Sequence, residues 1–73
     1  MRTINDLKPG AIGAVVKLHG EGPLKRRIMD MGITKGVDVR VKRVAPFGDP
    51  IELTVRGYQL SIRKEDAAKI EIC

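Results

Sequence analysis

At 73 residues the chain is close to the smallest size at which an apolar core holds a fold by itself, and its lone cysteine, Cys73, excludes an internal disulfide. Hydrophobic residues make up 42% of it, but Phe47 and Tyr58 are the only aromatic side chains, so valine, isoleucine and leucine must fill the interior. Fourteen Lys and Arg against nine Asp and Glu give a formal charge of +5, which favours an anionic partner without choosing among nucleic acid, a membrane surface and an acidic protein patch. No run approaches the length of a membrane span, and MRTINDLKPG lacks the apolar segment of a signal peptide. The expectation is one cytoplasmic domain over residues 1–73.

In chain order, Thr3 and Asp6 carry the spacing of a helix start, which Pro9-Gly10 ends within one turn. Ala11–Leu18 is a strand candidate in which Gly13 marks a bend or a close backbone approach. His19–Gly22 is a loop. Pro23 then fits a first helical position, and Leu24, Ile28 and Met31 form one apolar stripe. Gly32 is placed to end this helix in the left-handed region, with Ile33 touching Ile28 across the cap. Lys25, Arg26, Arg27 and Asp30 occupy the rest of the circumference. Met29 lies off the stripe among them, where an unbranched thioether suits an adaptable contact surface.

Beyond Gly36 the period changes to two. Val37, Val39 and Val41 alternate with Asp38, Arg40 and Lys42, and Ile51, Leu53 and Val55 with Glu52, Thr54 and Arg56. Residues Val44 to Pro50, with Pro46, Gly48 and Pro50 among them, read as a turn region with Phe47 at an exposed tip. Arg56-Gly57 supplies a two-residue hairpin link into Tyr58–Ile62, and Tyr58 is expected to pack beside that turn. Lys64–Lys69 is a helical turn and Ile70-Glu71-Ile72 a last strand. About five short strands joined by tight turns are best served by a closed or nearly closed small barrel, which leaves few edges bare. The expected class is therefore mainly β: an SH3-like barrel with one short helix after the first strand, over a barrel opening, and a helical turn before the last strand. An open two-layer α+β arrangement is the alternative.

Few residues suit catalysis. His19 stands between a strand and a glycine with no carboxylate at fixed spacing, and is read as a solvated loop residue. Asp49 belongs to a turn and Glu52 to the wet face of a strand. The chain is read as a non-enzyme with no cofactor. His19, Cys73, Glu21 and Asp30 show no metal-ligand spacing, which leaves room only for weak divalent transition-metal binding. A small basic barrel binding nucleic acid is the rival reading, but single-strand readers and proline-rich peptide grooves both need more aromatic surface than two residues give. A protein-interaction module remains, with Lys25, Arg26, Arg27, Met29 and Phe47 as partner-binding candidates; arginine and methionine are enriched at interfaces.

Three linked motifs, Arg27-Ile28-Met29-Asp30-Met31-Gly32-Ile33-Thr34-Lys35-Gly36, Ala45-Pro46-Phe47-Gly48-Asp49-Pro50 and Val55-Arg56-Gly57-Tyr58-Gln59-Leu60-Ser61-Ile62-Arg63, stand in the order and spacing of the FeoA family, and the resemblance runs from Leu7 to Ile72. It implies an SH3-like barrel that supports a large ferrous iron transporter of the membrane, one carrying a cytosolic GTP-binding domain. It also implies relation to a domain of iron-dependent repressors, whose helix-turn-helix has no counterpart here. The expected role is docking on that GTP-binding region, with modulation of GTP hydrolysis by Arg26 or Arg27 as a second mechanism. In this reading Gly32, Gly36, Pro46, Gly48, Pro50 and Gly57 set turns, while Asp30 and Asp49 bond loop amides.

Overall fold

A computed structural model describes residues 1–73. Its elements are β1 (Arg2–Thr3), a 3-10 turn (Ile4–Asp6), β2 (Ile12–Leu18), α1 (Pro23–Asp30), β3 (Asp38–Val44), β4 (Ile51–Val55), β5 (Tyr58–Ile62), α2 (Lys64–Ala67) and β6 (Ile70–Ile72). The six strands form one sheet in the order β1-β6-β2-β3-β4-β5, with every pairing antiparallel.

β2 is the strand that bends this sheet around a core. Its first half pairs with β3 (Ile12↔Arg40, Ala14↔Asp38) and its second with β6 (Val15↔Ile72, Leu18↔Ile70). Gly13 sits at the changeover, where an added Cβ would lie 2.7 Å from Ile72 Cδ1 and 3.2 Å from its Cβ. Only a residue without a side chain lets the two layers approach this closely. A bulge follows between Val15 and Lys17, so Val16 and Lys17 both face outward while Val15 and Leu18 stay buried.

The strand count exceeds the expected five because of β1. Two residues are too short to show a period, and their partners are Ile72 and Glu71, at the far end of the sequence. The expected helix start is present as the 3-10 turn, with the Thr3 N–H donating to Asp6 Oδ2 at 2.8 Å. Val44 also departs from its assignment to the turn. A bulge between Val41 and Arg43 resets the alternation, both Lys42 and Arg43 face outward, and Val44 returns to pair with Ile51. Hydrogen bonding does not join β1 to β5, so the barrel is coiled rather than fully closed.

The interior is one cluster of 16 buried aliphatic residues, among them Ile4, Ile28, Ile33, Val39, Val41, Leu53, Val55 and Ile70, all fully buried. Each such side chain contributes about 1.5–3 kcal/mol by leaving water. Of the stripe on α1, Ile28 is the residue that enters this core, and Leu24 and Met31 pack against its margin.

A candidate protein-interaction surface

The termini of α1 follow from local chemistry. Pro23 opens it after Gly22. At its end Gly32 takes φ +90°, the Ile33 N–H bonds Ile28 O at 3.3 Å, and the Gly32 N–H bonds Met29 O at 2.9 Å. These are the paired bonds of a Schellman cap. Long-range contacts then fix the helix in place. The Tyr58 hydroxyl donates to Met31 O at 2.6 Å, and a side chain at Gly32 would collide with that hydroxyl. Tyr58 thus reaches from the hairpin to the helix end, instead of packing beside its own turn. Arg27 donates to Asp66 Oδ2 at 3.0 Å, joining α1 to α2 across a nearly buried carboxylate.

The candidate residues on α1 therefore separate. Lys25, Arg26 and Met29 are exposed, Met29 at 47%, and neither cation is ion-paired. Arg27 holds an intramolecular partner. Asp30 is exposed and bonds no loop amide, because the cap glycine and Ile33 amides are already taken by main-chain carbonyls. Asp49 does bond an amide: its Oδ1 accepts from the Lys64 N–H at 3.0 Å, supplying the start of α2 with an acceptor that Arg63 lacks.

The loop from Ala45 to Pro50 presents Phe47 at 95% exposure. Two main-chain bonds, Gly48 N–H to Ala45 O at 2.8 Å and Ala45 N–H to Pro50 O at 3.1 Å, brace it, and the Asp49–Pro50 peptide is cis. Phe47 shares neither of the grooves that α1 lines. Across β3 and β4, Arg43 bonds Glu52. That hydrogen bond, helped by the charges of Arg43 and Lys42, holds the Glu52 carboxyl below the usual carboxylate range against a weaker opposing effect of burial.

Sequence reasoning missed the groove between α1 and β2. Met29 and Lys25 line it from the helix, Val16, Lys17 and Leu18 from the strand, Thr34 and Lys35 from the loop after α1, and Glu71 from β6. The only sign of it in the sequence is the Val15-Val16-Lys17 run, which breaks the alternation of a half-buried strand. His19 stands beside Glu71, its Nε2 2.7 Å from Oε1, so this loop residue is half-buried and has a partner that its spacing in the sequence did not indicate. No group of three or more His, Cys, Asp or Glu side chains converges. These residues do not fit a closed metal site, which takes four ligands as a rule.

A strongly bent antiparallel sheet, wrapped round one aliphatic core and carrying a short helix after the second strand, defines a small barrel of the SH3-like type. The FeoA domain family matches residues 2–72, and the chain belongs to that family. It is 36% identical, over 69 residues and 94% of its length, to an Fe(2+) transport protein A/Fe(2+) transporter FeoB fusion protein of Porphyromonas gingivalis, of which it spans only 8%. The solution structure of a FeoA-like protein from Clostridium acetobutylicum superposes with a TM-score of 0.90 at 38% identity, covering 97% of this chain and 83% of that one. The crystal structure of Stenotrophomonas maltophilia FeoA complexed with zinc, described as a procaryotic SH3 domain protein, shares the fold with a TM-score of 0.87 at 21% identity, over 100% of this chain and 91% of that one.

Proposed function

We propose that this chain is a non-catalytic accessory protein of bacterial ferrous iron uptake. It works in the cytoplasm, where it docks on the GTP-binding region of a membrane ferrous iron transporter and supports or regulates it. The observation that carries this reading is the Porphyromonas gingivalis relative, in which an equivalent stretch is fused to a ferrous iron transporter. Fusion turns an encounter between two proteins into an intramolecular one, which is useful when the two parts act on each other. The surface chemistry agrees with docking. Lys25 and Arg26 are free cations beside an exposed Met29, and Phe47 is a fully presented aromatic.

The test is co-purification of the chain with the transporter's cytosolic GTP-binding region. Arg26→Glu combined with Met29→Ala should abolish capture while the far-ultraviolet circular dichroism stays unchanged. Capture that survives this pair removes α1 from the interface. A second mechanism, stimulation of GTP hydrolysis, is favoured by one difference between neighbours: Arg27 is held by Asp66, whereas Arg26 has no partner and can extend toward a phosphate. Turnover measured with and without the chain separates the mechanisms, and an unchanged rate leaves docking alone.

A further inference from the structure

The groove between α1 and β2 has a composition that selects its occupant. Its apolar surface comes from Val16, 38% exposed, Met29, 47% exposed, and the buried Leu18 beneath them. Lys17, Lys25 and Lys35 border that surface, and none of the three is within ion-pair distance of a carboxylate. Of the fourteen cations only Arg27, Arg43 and Arg63 have an acidic neighbour, so what sets the groove apart is that three of the unpaired ones surround a single apolar strip. Glu71 is the only acidic side chain in the groove, and it is already engaged by His19 at 2.7 Å. The groove thus presents an apolar strip between uncompensated ammonium groups.

We infer that this groove receives an acidic segment of a protein partner, with one aliphatic side chain seated on Val16 and Met29 and flanking carboxylates meeting Lys17, Lys25 and Lys35. The inference deepens the docking reading, because it names the chemistry that the partner must offer. Charge complementarity fixes the sign of the occupant. The lining sets its form: the exposed apolar surface is confined to two side chains, Val16 and Met29, which one aliphatic side chain suffices to cover. Nucleic acid is disfavoured by the lining, which has no aromatic ring on which a base could stack. The β2 bulge is what builds the site, since without the extra residue Val16 and Lys17 could not both face the same side.

The probe is a short capped peptide with a central leucine flanked on each side by glutamates, titrated into the intact chain and followed by amide and methyl NMR shifts. The expected result is saturable shifts at the Val16 methyls, the Met29 ε-methyl and the amides of Lys17 and Lys35, weakening as salt is raised. Lys17→Glu with Lys35→Glu should weaken binding about tenfold or more, and a peptide with serine in place of leucine should weaken it by a similar factor. The variant's unchanged amide dispersion would show that it is folded. Shifts centred on Arg26 or Phe47, equal binding of the serine peptide, or no saturable shift would overturn the proposal. So would binding to phosphatidylserine vesicles that is lost in the same variant while the peptide does not bind. Failure here leaves the docking proposal standing on co-purification alone, and failure of co-purification with peptide bound in the groove leaves the groove and removes the named transporter region.

Discussion

Two parts of the molecule stand out from the sheet, and they are held by different means. α1 is anchored through its own side chains: Ile28 lies in the core, Arg27 holds Asp66, and Tyr58 holds the carbonyl of Met31. The loop from Ala45 to Pro50 buries no large side chain and is shaped by main-chain bonds, two prolines and the grip of Asp49 on the Lys64 amide. Each device leaves its outer residues free. The difference is in what mutation should do. On α1, residues one position apart are either held by the fold, as Arg27 is, or left free, as Arg26 is, whereas on the loop tip there is no structural work to disturb.

The sharpest way to expose this contrast is Ile28→Ala. It empties a fully buried site under the helix and should cost about 2–5 kcal/mol in chemical denaturation. A loss below about 1 kcal/mol would mean that α1 is not locked to the core. The adjacent arginines give a smaller and more specific comparison. Arg27→Ala leaves the nearly buried Asp66 carboxylate without its cation and should cost about 1–3 kcal/mol. Arg26→Ala should stay within about 0.5 kcal/mol, as exposed substitutions do. Equal costs for the two would dissolve the division of the helix into a holding face and a free one. The smallest effect belongs to the loop: Phe47→Ser should change stability by less than about 0.5 kcal/mol while lowering affinity for the transporter region in the same capture assay.

Local periodicity made much of this fold readable. Pro23 and Gly32 bracketed α1, the alternation in β3 and β4 named its buried valines, and Gly57 marked the hairpin. Arg56 there adopts φ 51°, the left-handed region that a two-residue link of this kind asks of both its residues. What stayed hidden were partners chosen by topology. Arg27 and Asp66 are 39 residues apart, and His19 and Glu71 are 52 apart. No spacing rule connects such pairs until the strand order is known. The bulges were hidden for another reason. An extra residue breaks the alternation, and in Val15-Val16-Lys17 the break is indistinguishable from a strand buried on both faces. That is why Met29 stood out as an off-stripe residue while Val16, its neighbour across the groove, did not.

The pairing of β1 with β6 sets Arg2 opposite Ile72, so the chain enters and leaves at a shared margin of the sheet. A tether attached at either extremity would therefore depart from the same corner, with the β3–β4 connection three strands further along the order. Such a layout lets a neighbouring polypeptide be joined on either side of this unit from one margin of the sheet.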